Sequence, residues 1–170
     1  MISKDYSNYN LAPIPKNLAY KEPENYITSY GRRKRKPTLA EGEVAPTFQL
    51  ASMNGDSVSL EELKGKKVML DFSIINCGYC METMKHINQE DFELNKDVTW
   101  LYINPVDSKE RMEKHMKNLP IPFPALINAK EVGEQYGIYG YPIFILIDEK
   151  GIIEKVQHGY SEEFINTYKL

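Results

Sequence analysis

The chain has 170 residues, 42% of them hydrophobic and 26% charged, a balance that fits one soluble globular domain with an extension. Its net charge of −3 divides into +5 over residues 1–40 (eight Lys/Arg against three Asp/Glu) and hence −8 over residues 41–170. An acidic body behind a short basic leader excludes a nucleic-acid-binding domain.

Residues 1–40 read as an extension. Pro13, Pro15, Pro23 and Pro37 interrupt any regular element, and Arg32, Arg33, Lys34, Arg35 and Lys36 form a single basic run. The plain reading is a solvated linker extended by its own charge; the alternative is a tether to anionic lipid. Five tyrosines (Tyr6, Tyr9, Tyr20, Tyr26 and Tyr30) leave room for part of the leader to pack on the body. No apolar run approaches the roughly 18–20 residues that span a bilayer. The polar start, Met1 to Asn10, lacks the apolar core of a signal peptide.

The body, residues 41–170, is expected to open at Val44-Ala45-Pro46 with a strand over Thr47 to Leu50. Asn54-Gly55 supplies a hairpin turn and Ser57 to Leu60 the return strand. Lys67 to Ser73 carries a near-continuous apolar run, as in a strand buried on both faces, interrupted by Asp71. After Cys77, the residues Cys80, Met84 and Ile87 recur at helical spacing. Val98 to Ile103 is a β-branched and aromatic strand. Asp107 with Glu110 resembles a capping box before a helix bearing Met112, Met116 and Leu119. Pro120, Pro122 and Pro124 force an extended crossing, and Lys130 to Tyr136 forms a short helix. Ile143 to Ile147 is a second buried strand, turned by Asp148 to Gly151 into Ile152 to Val156. Ser161, Glu162 and Glu163 begin a last helix. The order predicts an α/β fold: a central mixed sheet flanked by helices, preceded by an N-terminal β-hairpin.

Cysteine usage is the sharpest chemical signal. The only two cysteines, Cys77 and Cys80, stand as C-G-Y-C, without the four spaced ligands of structural zinc or the wide loops of a disulfide framework. An isolated pair of this kind at a strand–helix junction points to redox chemistry. Cys77 falls at the helix N-terminus, where unsatisfied N–H groups favour a thiolate, and Cys80 lies one turn further in. Cys77 is therefore the attacking thiol and Cys80 the resolving one. Asp71, six residues before Cys77, shares its strand face with Met69; buried near Cys80, its carboxyl is a candidate proton acceptor. Gly140-Tyr141-Pro142 opens the second buried strand, a place where cis bonds occur.

These residues resemble the thioredoxin superfamily in its TlpA/ResA-like branch. The resemblance is carried by K-K-V-M-L-D-F-S-I-I-N-C-G-Y-C and Y-G-I-Y-G-Y-P-I-F-I-L-I-D-E-K-G. It extends to A-P-T-F-Q-L and Phe123-Pro124-Ala125-Leu126, spanning roughly residues 41–170. It implies a thioredoxin-like fold, a buried acid at Asp71, a cis-proline at Pro142, and disulfide exchange with protein thiols and an upstream redox partner. Tyr141, Pro142, Gly78 and Tyr79 would contact the partner, whose backbone would add as a short strand. The resemblance implies a monomer working outside the cytoplasm, in the periplasm or cell envelope, with no metal and no cofactor. Three departures stand out: Asn76 where an aromatic residue is usual, Thr83 where an acid is common, and Ile143 where Thr is frequent. Gly78-Tyr79 is similar to the dipeptide of bacterial disulfide isomerases, so the direction of electron flow stays open.

Two other readings fit parts of the pattern. A copper-binding assembly module would use the soft thiolates Cys77 and Cys80 with His158. A peroxiredoxin-like peroxidase would share the fold and the A-P-x-F opening, but it needs a threonine at the position of Ile74.

Overall fold

The computed structural model describes residues 37–170, so the expectations for the basic run and the leader tyrosines lie outside the described residues. A short antiparallel hairpin comes first: β1 (Gln49–Ala51) and β2 (Ser57–Ser59), followed by a 3-10 turn at Glu61–Leu63. Then come β3 (Lys67–Phe72), α1 (Gly78–Ile87), β4 (Val98–Ile103), α2 (Lys109–Met116) and β5 (Ala125–Leu126). The chain finishes with α3 (Lys130–Gln135), β6 (Ile143–Ile147), β7 (Ile153–His158) and α4 (Glu162–Asn166).

Five strands form one mixed sheet in the order β5-β4-β3-β6-β7. Parallel neighbours need a crossover, and α1 and α2 supply it between β3, β4 and β5. β6 runs antiparallel to both β3 and β7. The hairpin forms its own two-stranded sheet and touches the main one through a bridge from Ser52 to Leu126. Alternation along β3 divides the core. Val68, Leu70 and Phe72 pack with the hairpin and α3; Met69 packs with residues of α1, α2 and α4. With both faces covered, β3 and β6 are apolar almost throughout. Among the described residues, no helix is long and apolar enough to cross a membrane.

Besides shifts of one residue at element ends and an α2 that stops at Met116, short of Leu119, the structure departs from the sequence expectations in four places. β1 begins at Gln49 rather than Thr47. β5, a two-residue strand paired to Tyr102 and Ile103, has no periodicity to reveal it, and Pro124 ends it on the N-terminal side. β7 continues past Val156 to His158 because β6 offers partners as far as Ile143. α2 is capped by Ser108, whose hydroxyl accepts the Arg111 N–H at 3.4 Å, and not by Asp107, whose carboxylate turns inward.

Residues 37–40, grouped with the leader on composition, pack on the body. Leu39 is buried and its N–H reaches the Tyr136 carbonyl at 3.1 Å. The Thr38 hydroxyl donates to the Gly137 carbonyl at 2.8 Å. Gly137 has φ +68°, and a Cβ there would lie 2.1 Å from the Pro37 carbonyl oxygen, so only glycine admits this crossing.

Candidate active site

β3 ends in a four-residue loop that delivers Cys77 to the start of α1. Asn76 takes a left-handed conformation, φ +60°, which asparagine adopts more cheaply than a bulky side chain. One residue earlier, the Ile75 N–H donates to Asp107 Oδ2 at 3.0 Å. Asp107 is itself held: Asn104 Nδ2 donates to the same oxygen at 3.1 Å, and Arg111 pairs with Oδ1 at 3.1 Å. Asn104 Oδ1 accepts the N–H groups of Val106 and Asp107 at 2.9 and 2.7 Å. A largely buried network thus pins the loop from the far side of β4.

Cys77 is the N-cap of α1. Its Sγ accepts the Cys80 N–H at 3.3 Å, and its thiol lies 3.6 Å from the Tyr141 carbonyl oxygen. Both cysteines are free, Cys77 half-buried and Cys80 only 2% exposed. Burial pushes the Cys80 thiol well above its ordinary pKa, with the neighbouring Cys77 adding to the rise. A hydrogen bond from the Ile74 backbone and one from the Ser73 side chain act in the opposite direction.

The Tyr141–Pro142 bond is cis, Pro142 is buried and Tyr141 is half-buried. Gly78 and Tyr79 face solvent, Tyr79 at 65% exposure, and a Cβ at Gly78 would meet nothing within 4 Å. A shallow groove lined by Pro105, Val106, Ile138, Tyr139 and Tyr141 adjoins the cysteines through Tyr141.

Asp71 is fully buried on the Met69 side of β3, between Tyr102 of β4 and Phe144 of β6. Its Oδ1 accepts the Ser73 hydroxyl, and its Oδ2 has no partner. Desolvation pushes its carboxyl from the ordinary 3.8 up to about 7, against the pull of the Ser73 hydrogen bond. Tyr102 is pushed upward too, by burial first and then by the charges of Asp71, Cys80 and Asp107. No direct hydrogen bond joins Asp71 to Cys80.

The structure therefore gathers Cys77, Cys80, Tyr141, Pro142, Gly78 and Tyr79 at one end of the sheet, with Asp71 beneath them. His158 stands apart, exposed at the end of β7 opposite Ile143. Among the described residues no three His, Cys, Asp or Glu side chains gather as a metal-binding set, so His158 does not join the cysteines as the copper reading required. Ser73, Asn104 and Asp107 were not singled out as site residues from sequence. For Ser73 a signal existed: two residues from Asp71 in an extended strand, it had to share the same face.

The AhpC/TSA family model matches residues 42–156. The chain is 31% identical over 130 residues to the thioredoxin-like protein YneN of Bacillus subtilis (strain 168), covering 74% of this chain and 76% of that protein. It is 30% identical over 136 residues to the thiol-disulfide oxidoreductase ResA of the same organism, covering 78% and 76%. Among solved structures, the thioredoxin domain of a thiol-disulfide oxidoreductase from Bacteroides vulgatus superposes with a TM-score of 0.63 at 29% identity. That match covers 76% of this chain and 96% of the other.

Proposed function

The chain belongs to the AhpC/TSA family of thioredoxin-like proteins, and from that membership we propose that it exchanges disulfides with protein partners through Cys77 and Cys80. One observation carries the reading: Cys77 caps α1 with its sulfur on the Cys80 N–H and is partly exposed, while Cys80 is buried beneath it. The accessible sulfur reacts as its thiolate. That thiolate attacks a partner disulfide, forming a mixed disulfide and releasing one partner thiolate. Cys80 then loses its proton and attacks Cys77 Sγ; the Cys77–Cys80 bond forms and the second partner thiolate leaves. The partner has gained two electrons and the protein dithiol has lost two.

Tyr141 and Pro142 lie beside the reacting sulfur, where an extended partner segment can add main-chain hydrogen bonds. Gly78 and Tyr79 offer open surface and an aromatic face. Asp71 serves as the proton acceptor for Cys80. The same residues disfavour a peroxidase: Ile74 carries no hydroxyl, and the hydroxyl of Ser73 is engaged by Asp71. The family resemblance supports work outside the cytoplasm, where the basic run of the leader would suit a tether to anionic lipid.

Equilibrating the protein with thiol–disulfide buffers tests the reading. The expected result is a single two-electron transition that is lost in Cys77→Ser. A potential near about −270 mV would make it a reductase, and one near about −180 mV an isomerase or oxidant. Absence of a Cys77–Cys80 disulfide at any potential would end the proposal.

A further inference from the structure

The turn beside the cysteines, Ile138 to Pro142, leaves α3 and enters β6 with Tyr139 and Gly140 exposed. On its β6 side the sheet holds it. Pro142 is buried, its carbonyl accepts the Gly159 N–H at 2.8 Å, and Ile143 is paired with Phe72. On its α3 side another support is needed, because the last carbonyls of a helix have no intrahelical donors. The Ile138 N–H reaches the Gly133 carbonyl at 2.8 Å and the Gly137 N–H reaches that of Glu134 at 3.2 Å. The carbonyls of Tyr136 and Gly137, which lead into the turn, are taken by a segment from far earlier in the chain. The Leu39 N–H donates to the first at 3.1 Å and the Thr38 hydroxyl to the second at 2.8 Å. Leu39 is buried in the cluster that holds Tyr136 and Ile138, and Tyr141 packs against that cluster. Beyond Leu39 the segment is itself anchored, the Gly42 N–H on the Ile153 carbonyl at 2.8 Å and the Ala45 N–H on that of Gly151 at 3.0 Å. Thr38 and Leu39 thus stand, through Gly137 and Ile138, behind Tyr141, whose carbonyl oxygen lies 3.6 Å from Cys77 Sγ.

We propose that Thr38 and Leu39 are positioning residues for the capture of polypeptide partners: they brace the α3 end of the turn, so that the backbone of Tyr141 and Pro142 stands ready to pair with an extended segment beside Cys77. This rests on the reading of Cys77 and Cys80 as an exchanging pair. The chemistry at sulfur does not need the brace. A small disulfide reaches Cys77 without main-chain hydrogen bonds to the turn, whereas a protein disulfide arrives within an extended segment that must find the turn in place. The brace therefore favours polypeptide disulfides over small ones. Linkage makes the effect reciprocal, since a partner seated on the turn steadies Thr38 and Leu39 in return.

Mixed-disulfide formation by the full chain carrying Cys80→Ser, followed with insulin and with Ellman's reagent, separates partner capture from sulfur chemistry. In that background Thr38→Val, which keeps the shape and removes the donor, should slow capture of insulin by about threefold to tenfold. Leu39→Ala should do the same. Release of the coloured thiolate from Ellman's reagent should stay within about twofold for both, because that reagent makes no use of the turn. Thr38→Ser, which keeps the hydroxyl, should capture insulin within about twofold of the unsubstituted rate. Equal slowing with insulin and with Ellman's reagent overturns the proposal, since a merely structural weakening acts on both. So does capture of insulin at an unchanged rate. Should Leu39→Ala not fold, the Thr38 pair and hydrogen exchange decide. In the trapped insulin complex the Leu39 amide should exchange more slowly than in the free Cys80→Ser chain, by about threefold or more relative to Leu101 in the sheet. An equal rate overturns the brace. A Cys80→Ser chain that releases no thiolate from Ellman's reagent would instead overturn the exchange reading itself.

Discussion

Asp71 is the residue at which chemistry and stability pull apart. The folded carboxyl titrates at about 7 where the ordinary value is 3.8, because burial penalises its charge. Between those two values the folded protein holds a proton that the unfolded chain has released. Stability therefore falls as pH rises from about 4 to about 7, and above that the ionised group costs at most roughly 4 kcal/mol. Asp71→Asn keeps the shape and removes the titration. Urea denaturation should show the variant a few kcal/mol more stable than the natural protein at pH 8, with the advantage mostly gone near pH 3. An advantage independent of pH would mean that ionisation is not what burdens the strand. The retention of so costly a group fits a role in the reaction. At this scale the sequence was informative where residue type and spacing carry the signal. The cysteine pair, Asp71 within an apolar run and Pro142 before another were all legible. Ser73 carried only the weaker signal of sharing a strand face with Asp71, which residue type alone did not single out.

At the scale of elements, the junction of β3 with α1 decides where Cys77 stands. That junction is tied to the start of α2 through Asp107, which accepts from Ile75 N and Asn104 Nδ2. Removing the carboxylate leaves the Ile75 N–H without an acceptor and Asn104 Nδ2 with only the weak acceptor Met112 Sδ, and a buried donor left unpaired costs roughly 1–3 kcal/mol. Asp107→Ala should therefore lose about 2–4 kcal/mol in chemical denaturation. It should also speed hydrogen exchange at the Ile75 amide more than at Leu101 or Ile145 in the sheet. Uniform acceleration at all three amides would reduce Asp107 to a contributor to global stability with no special hold on the loop. Local pattern misplaced this residue for a physical reason. Asp107 and Glu110 have capping-box spacing, and only the tertiary fold reveals that the aspartate faces inward while Ser108 takes the cap. The long elements were legible throughout, since β3, α1, β4 and β6 follow apolar runs and helical spacing. The two-residue β5 exists only by pairing with β4.

For the whole molecule, the boundary between leader and body turns on four residues. Charge and proline content placed it after Ala40, yet Leu39 is buried and Thr38 and Leu39 bond to Gly137 and Tyr136. Composition averages over a window and does not register one apolar side chain at its edge. A protein cut to residues 37–170 should keep the stability of the body. One cut to residues 41–170 should lose about 2–4 kcal/mol, the burial of one leucine plus a hydrogen bond. Equal thermal and urea midpoints for the two would show that this segment adds nothing to the fold.

The central claim is an asymmetry between two sulfurs one helical turn apart: Cys77 reaches partners and Cys80 reaches only Cys77. Incubating Cys80→Ser and Cys77→Ser separately with a disulfide-containing protein such as insulin, then quenching and running non-reducing gels, measures it directly. Cys80→Ser should accumulate a mixed disulfide through Cys77, and Cys77→Ser should trap almost nothing, because Cys80 is buried and its thiol resists ionisation. Equal trapping by both variants, or trapping by Cys77→Ser alone, would contradict the account.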